Sequence, residues 1–198
     1  MLYKVLKIII GFLANILYKL DATGQENIPQ EGAFILCANH IHNFDPVMLA
    51  IECKRPIHYM AKKELFSNKI LQWFFHQLNC IEVNRDGNDL LSLKKSYKVL
   101  KSGEVLGIFP EGTRTEDDSK MLELKGGTAL IAIRSKTPLV PVHVSASYRP
   151  FSKVNISFGK PFTLEDYYGK KLPAEEYDKI SNEIIKMKIL ELRRPYKG

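Results

Sequence analysis

The chain alternates short apolar runs with longer stretches in which apolar residues recur every three or four positions. Short runs are typical of buried strands, and the longer pattern is typical of helices. Strands are predicted at residues 33–38, 56–61, 79–83, 104–109, 139–144 and 154–158. Helices are predicted at residues 46–53, 64–77, 88–102 and 124–135, with a charged, solvated surface helix at 173–194. This alternation predicts an α/β fold with a mostly parallel central sheet flanked by helices.

The first 20 residues are apolar, but polar side chains interrupt them too often for a transmembrane helix. On a helix these interruptions share one arc: Lys4, Lys7, Gly11, Asn15, Tyr18 and Lys19. We therefore expect an amphipathic helix in the membrane interface, with its lysines toward the lipid head groups. A signal peptide is disfavoured because no small-residue cleavage site follows, whereas packing on the chain's own domain stays open. This reading divides the chain into a membrane-associating helix, residues 1–23, and a second domain, residues 24–198.

Charge and cysteine content narrow the choice of partners and compartment. The chain has 29 Lys and Arg against 22 Asp and Glu, a net charge of +7. This balance favours an anionic partner, which could be nucleic acid, a membrane surface or a phosphorylated substrate. Cys37, Cys53 and Cys80 are widely spaced, odd in number and flanked by apolar residues. They are typical of buried thiols rather than disulfides or zinc ligands, which indicates a reducing, cytosol-facing location.

Polar clusters follow four of the predicted strands. They lie at residues 40–45, 62–63, 84–86 and 111–114. Because the carboxyl ends of parallel strands meet at one edge of a sheet, we expect these clusters to line a single crevice.

The first cluster contains a histidine and an aspartate five positions apart, His40 and Asp45. Asp45 followed by Pro46 predicts a helix N-cap with proline at the first helical position. The chain then folds back within a few residues, so that the carboxylate can reach the imidazole, fix its tautomer and stabilise its cation. The alternative is that Asp45 only caps the helix and His40 is an ordinary loop residue. A metal site at His40 and His42 is disfavoured because no third ligand is suitably spaced.

The stretch at residues 109–114, which contains the fourth cluster, has the features of an anion-binding turn. It combines a glycine that allows close backbone approach, a hydroxyl and a guanidinium, in Gly112, Thr113 and Arg114. Arg85 and Lys62 are expected to add positive charge. Glu111 would repel a phosphate, so we assign it to orienting an arginine or to a substrate hydroxyl.

Together these stretches resemble the four motif blocks of the 1-acylglycerol-3-phosphate acyltransferases. The matching residues are Asn39, His40 and Asp45, then the ranges 81–85, 109–114 and 138–142, with a further similar stretch at 61–65. Order and spacing agree over residues 24–160, which is far more specific than any single motif. Two positions depart from the usual pattern: His42 stands where serine is common, and Asn84 where aspartate is common.

The resemblance implies an enzyme that moves a fatty acyl group from a thioester to the sn-2 hydroxyl of 1-acylglycerol-3-phosphate, giving phosphatidic acid. In that family the first block is catalytic, which points to His40 and Asp45, and the later blocks bind the acceptor. The implied binding residues are Lys62, Arg85, Glu111, Gly112, Thr113 and Arg114. No metal and no cofactor are expected beyond the thioester co-substrate, acyl-CoA or acyl carrier protein. The expected partners are this donor, membrane lipid and lysophospholipid rather than nucleic acid, on the cytoplasmic face of the membrane.

Two alternatives stay open. The same chemistry could act on another acceptor, such as glycerol-3-phosphate or a different lyso-lipid. A non-catalytic basic protein could instead bind membrane or nucleic acid through charge, but this leaves the His40–Asp45 pair and the 109–114 turn unexplained.

Overall fold

The computed structural model describes residues 2–84, 90–115 and 120–194, without the side chains of Leu2 and Lys4. The helices are α1 (Leu2–Leu17), α2 (Asp45–Glu52), α3 (Lys69–Gln77), α4 (Leu90–Lys101), α5 (Gly127–Ser135), α6 (Ala174–Ile180) and α7 (Lys186–Leu190). The strands are β1 (Lys19–Thr23), β2 (Phe34–Ala38), β3 (Ile57–Lys62), β4 (Ile81–Val83), β5 (Val105–Ile108), β6 (Leu139–Ala146) and β7 (Lys153–Phe158). Short 3₁₀ turns lie at Gln25–Asn27, Lys63–Phe66 and Glu165–Tyr167, and a π-helical turn, Ser181–Ile185, joins α6 to α7.

Within the described residues, seven strands form one sheet in the order β1-β7-β6-β2-β5-β3-β4. Strands β2 to β6 run parallel to one another, β7 is antiparallel to β6, and β1 pairs in parallel with β7. The predicted α/β fold with a mostly parallel sheet is therefore confirmed.

Helices cover both faces of the sheet. Along β2 the side chains alternate, as the two-residue repeat of a strand requires. Phe34 and Leu36 pack in the core on the side of α1 and α2. Ile35 and Cys37 pack in the core on the side of α4 to α7. Since every residue of β2 is buried, its short, wholly apolar sequence is that of a strand covered on both faces.

The helix predicted over residues 1–20 ends at Leu17, and its orientation differs from the one expected. Part of its polar arc faces the protein: the Lys7 ammonium donates to the carbonyl of Cys53 at the end of α2, and Gly11 approaches Ile51, whereas Asn15 is exposed. Lys7 therefore does not point toward head groups, and burial lowers its pKa. The apolar arc faces outward, with Ile8 72% and Phe12 69% exposed. In the described ranges no helix is both long and apolar enough to cross a bilayer.

Two predictions about the ends of the domain were wrong. Lys19–Thr23, which the sequence placed with the N-terminal helix, form edge strand β1 and belong to the sheet. The tail, expected to be solvated, buries Ile180, Ile185 and Ile189 in the core. Most of its charged residues are exposed, and the π-helical turn between α6 and α7 keeps these isoleucines directed at the core.

Five strands, β2 to β6, end at the same edge of the sheet because they run parallel. The four predicted clusters follow β2, β3, β4 and β5 at this edge, although residues 85 and 86 of the third lie outside the described residues. The loop after β6, residues 147–152, joins them there.

Candidate active site

His40 and Asp45 lie in direct contact just beyond β2. Nδ1 of His40 is 2.8 Å from Oδ2 of Asp45, so the contact inferred from their spacing is present. The Asp45 side chain is fully buried, and that of His40 is 17% exposed. Because an ionised carboxylate only accepts hydrogen bonds, the shared proton belongs on Nδ1. Nε2 of the neutral imidazole then carries a free lone pair.

The Asp45 carboxylate accepts hydrogen bonds on both oxygens. Besides His40, Oδ2 accepts the backbone N–H groups of Ile41 and His42, each at 2.7 Å. Oδ1 accepts the hydroxyl of Tyr148 at 2.7 Å. Asp45 is thus the first residue of α2 and not its N-cap, a position occupied by Phe44 without a side-chain cap bond. Its carboxylate turns back to order the preceding loop, as a negative group with these donors should.

The loop after β5 holds His40 in place, and strand β6 holds its neighbour Asn39. The His40 carbonyl accepts the N–H of Thr115 at 2.9 Å. Its ring stacks on Phe109 with centroids 4.1 Å apart. The neighbouring Asn39 side chain forms two hydrogen bonds with the backbone of Val144, at 2.9 and 2.7 Å. The histidine therefore has a defined position before any substrate binds.

Glu111 has a different place from the one predicted. It is 3% exposed, and its two carboxylate oxygens accept the N–H groups of His40 and Leu122, both at 2.9 Å. Burial raises the pKa of Glu111, while these N–H groups and the nearby His40 oppose the shift. With both oxygens engaged on backbone, Glu111 joins the His40 loop to residue 122 rather than orienting an arginine or meeting a substrate hydroxyl.

A cavity of about 970 Å³ opens beside the His40 ring. This volume is near the upper end of ligand sites, which span about 300–1,000 Å³. Its wall contains these predicted binding residues: Lys62, Gly112, Thr113 and Arg114. Arg85 lies outside the described residues. The four described positions are separated by up to 52 residues along the sequence, and strand order brings them to one site.

Lys125 also lines the cavity, and sequence reasoning missed it. A Cβ added to Gly112, whose φ is +69°, would lie 3.4 Å from Lys125 Cε. Glycine thus permits both the left-handed turn and the close approach of this lysine. Lys125, Arg114 and Lys62, together with Lys7 of α1, give the cavity wall four cations, which suit an anionic ligand. In the sequence, the signal that could have identified Lys125 was its position directly before Gly126 and Gly127, where α5 begins.

The rest of the cavity wall is mainly apolar and comes from both faces of the sheet. One set belongs to α1 and α2: Leu6, Ile10, Val47, Ala50 and Ile51. The other lies on β5, α4 and α5: Ile108, Leu93, Leu130 and Ile131. The cavity beside His40 therefore combines cationic side chains with a mainly apolar wall.

The cysteines do not provide a nucleophile. Cys37, Cys53 and Cys80 are all free thiols, as predicted. Burial raises the pKa of Cys37 to about 12 and that of Cys80 to about 11, so both remain protonated at neutral pH. Among the described residues, no group of three or more His, Cys, Asp or Glu side chains is arranged to hold a metal ion.

Comparisons with known proteins agree with this geometry. The Acyltransferase family model matches residues 19–145, from β1 almost to the end of β6. A 1-acyl-sn-glycerol-3-phosphate acyltransferase of Bacillus subtilis is 35% identical over 174 residues, covering 85% of each chain. The chain belongs to the acyltransferase family. The family recognised from the motif blocks is thus confirmed, and the reading as a non-catalytic basic protein is set aside.

Two further relatives extend the comparison. This acyltransferase is 30% identical over 186 residues to a 1-acyl-sn-glycerol-3-phosphate acyltransferase of Streptococcus pneumoniae, covering 88% of this chain and 68% of that one. Its fold is similar to the crystal structure of the 1-acyl-sn-glycerophosphate (LPA) acyltransferase PlsC from Thermotoga maritima. That similarity has a TM-score of 0.75 over 99% of this chain and 83% of the other, at 24% identity.

Tyr148 lies just beyond the residues that the family model matches.

Proposed function

We propose that this acyltransferase moves a fatty acyl group from a thioester, acyl-CoA or acyl carrier protein, to the sn-2 hydroxyl of 1-acylglycerol-3-phosphate, giving phosphatidic acid. The observation that carries the proposal is the His40–Asp45 pair at the wall of a cavity that combines cationic side chains with a mainly apolar lining. The names of the Bacillus and Streptococcus relatives support the same acceptor. The reaction needs no cofactor beyond the thioester co-substrate.

His40 acts as the general base in the proposed mechanism. Nε2 takes the proton of the acceptor hydroxyl while that oxygen attacks the thioester carbonyl carbon. When the tetrahedral intermediate collapses, the C–S bond breaks and His40 returns the proton to the leaving thiolate. Asp45 holds the tautomer and stabilises the imidazolium between these steps. No acyl-enzyme forms, in keeping with the protonated, buried thiol of Cys37.

The oxyanion of the intermediate finds its donors outside residues 40–42. The N–H of His40 is donated to Glu111, and those of Ile41 and His42 are donated to Asp45. In the turn that lines the same cavity, the Gly112 N–H is donated to the Phe109 carbonyl, so Thr113 and Arg114 are the better source of backbone donors.

The cations of the cavity wall bind the acceptor phosphate in this proposal. The Arg114 guanidinium can contact two phosphate oxygens at once, and Lys125 and Lys62 add charge. The two apolar parts of the wall hold the acyl chains of donor and acceptor.

Arg114→Ala is expected to weaken acceptor binding selectively. Loss of a hydrogen bond to a charged group costs about 1.5–3 kcal/mol, which corresponds to a rise of roughly 10- to 150-fold in acceptor KM. Saturation curves for the lyso-lipid and for the thioester measure the effect. Arg134→Ala, which removes the same charge from an exposed position of α5 outside the cavity wall, is the control. A selective rise in thioester KM would assign Arg114 to the donor instead.

We further propose that the outer face of α1 holds the enzyme in one leaflet, on the cytoplasmic face of the membrane. A continuous run of exposed apolar side chains is typical of an interaction surface, and here it includes Ile8, Ile9, Phe12, Leu13 and Ile16. The inner side of the same helix lines the cavity through Leu6 and Ile10, so a lipid acceptor would have a short path to His40. The free thiols suit a reducing compartment.

Glutamate at Ile9, Leu13 and Ile16 together should release the protein from vesicles. These side chains are 51%, 49% and 53% exposed, so the substitutions leave the core intact. Burying a complete aliphatic side chain contributes about 1.5–3 kcal/mol, and a carboxylate loses that contribution. Vesicle sedimentation measures binding, and activity should fall more on vesicle-borne acceptor than on acceptor in micelles.

The control for this experiment has the same change in net charge at a distant site. It combines Met187→Glu, on α7, with Lys171→Gln and Lys179→Gln, all at exposed positions. If the α1 variant sediments with vesicles as fully as the wild type, membrane contact comes from another surface.

The decisive test of the proposed reaction is a matrix of donors and acceptors. Purified protein in vesicles is assayed with acyl-CoA and acyl carrier protein thioesters against 1-acylglycerol-3-phosphate, glycerol-3-phosphate and a phosphate-free lyso-lipid. We expect the highest kcat/KM with 1-acylglycerol-3-phosphate. A preference for another acceptor would keep the acyl transfer and replace the substrate.

A further inference from the structure

We propose that Tyr148 is a positioning residue for the transfer reaction, holding the Asp45 carboxylate so that His40 keeps Nε2 directed into the cavity. This inference rests on the proposed function. Tyr148 comes from the loop after β6, 103 residues beyond Asp45 in the sequence. Neither the motif blocks nor the matched family region includes it.

The contacts of Tyr148 fit a support for the carboxylate. Its hydroxyl is 2.7 Å from Asp45 Oδ1, while the other donors to this carboxylate, including His40, all meet Oδ2. Its ring stacks on His42 with centroids 4.5 Å apart and meets Tyr18 edge-on at 5.9 Å. The tyrosine therefore fixes the side of the carboxylate that the His40 loop does not reach.

The backbone of Tyr148 is in an unusual conformation. Its φ is +52°, in the left-handed region that residues with a Cβ rarely adopt. Such conformations persist where surrounding contacts compensate for their cost, and they are concentrated at functional sites. Here the hydrogen bond to Asp45 and the stacking on His42 are the compensating contacts.

The hydroxyl remains a donor throughout catalysis. Burial, together with the neighbouring Asp45 charge, raises the pKa of Tyr148 far above its ordinary value. A neutral phenol donating to Oδ1 draws negative charge away from the oxygen that faces His40. Without this donor the carboxylate stabilises the imidazolium more strongly and is less firmly oriented.

Other titratable and charged groups surround the pair. His42 packs on Tyr148, Glu111 holds the His40 N–H, and Tyr59 is buried on β3 near Asp45. The cations of the cavity wall are Lys7, Lys62, Arg114 and Lys125. A conservative change at Tyr148 leaves all of these in place, so its effect on the pH profile reports the lost hydroxyl.

Tyr148→Phe is the test, because it removes the hydroxyl and keeps the stacked ring. We expect kcat to fall about tenfold, with both KM values close to wild type. The acidic limb of the kcat/KM profile should move to higher pH, since the base is protonated more readily. Replacing Tyr148 with 3-fluorotyrosine by codon suppression keeps the shape and strengthens the donor, so it should move the limb to lower pH. Tyr18→Phe, one ring away, is the control and should match the wild type.

Spectra of protein labelled with ¹⁵N-histidine separate this inference from the proposed function. The His40 ring signals, assigned by their loss in His40→Ala, should shift in Tyr148→Phe and not in Tyr18→Phe. Wild-type kcat in Tyr148→Phe, or a loss without movement of the acidic limb and the His40 signals, overturns the positioning role. If the wild type transfers no acyl group to the lyso-lipid while the His40 signals shift as expected, the proposed function fails and the positioning of His40 by Tyr148 stands.

Discussion

The His40→Ala variant is expected to lose about 100- to 10,000-fold in kcat while keeping its fold, because general acid–base catalysis contributes a factor of this size. The substitution removes Nε2, the group that would accept the hydroxyl proton. It leaves Asp45 with its donors from Ile41, His42 and Tyr148, so the loop retains its internal hydrogen bonds. Thioester consumption with 1-acylglycerol-3-phosphate in vesicles measures the loss, and the melting temperature and vesicle binding report the fold.

His58→Gln provides a matched control for His40→Ala. His58 also lies near a carboxylate, Glu104 at 3.3 Å, but at the amino-terminal end of β3 and β5, the opposite edge of the sheet. Activity should be unchanged in this variant. If His40→Ala retained more than about a tenth of wild-type kcat, that would exceed what loss of a general base permits and the mechanism would be wrong.

Asp45→Asn should reduce kcat at least about 100-fold and also destabilise the loop. An amide has a single acceptor oxygen, whereas the carboxylate accepts donors on both. Either Tyr148 or the donors at Oδ2 would then face an NH₂ group, and each buried donor left unsatisfied costs about 1–3 kcal/mol. The expected result is a lower melting temperature together with lower kcat, measured by thermal unfolding and steady-state kinetics.

The control for Asp45→Asn is Asp21→Asn, at a partly exposed ion pair with Lys153 and Arg194 on the β1 edge. It should leave kcat unchanged. An Asp45→Asn enzyme with near wild-type kcat would show that His40 needs no carboxylate partner.

Periodicity predicted strands β2 to β7 and most helices because their local sequence agrees with their final environment. Phe34 and its neighbours in β2 are apolar and wholly buried, so their short apolar run was enough to predict the strand. Gly103, directly after the helix predicted at residues 88–102, adopts φ +76° two residues after the last helical residue, Lys101. Strand β1 was missed because Lys19 and Asp21 make it polar, as suits an edge strand that only pairing with β7 stabilises.

The types of residue that follow the strand ends predicted part of the candidate site. His40, Asp45, Lys62 and Arg114 lie where the parallel sheet was expected to bring them. The role of Glu111 was wrong because its partners are backbone N–H groups, which carry no signature in the sequence. Tyr148 and Lys125 were missed for a related reason. Their importance comes from contacts with residues far away along the chain, which no local pattern records.

The position of β2 between β5 and β6 also constrains how the enzyme is made. Residues 34–38 precede their partners at 105–108 and 139–142 by 70 residues or more, so the central strand is synthesised long before it can pair. Folds dominated by such non-local pairings form slowly. The apolar outer face of α1 leaves the ribosome before the strands that follow it, while the His40–Asp45 pair gains its full set of contacts only after Tyr148 has been added. The lipid contact proposed for α1 can therefore precede the proposed activity during synthesis.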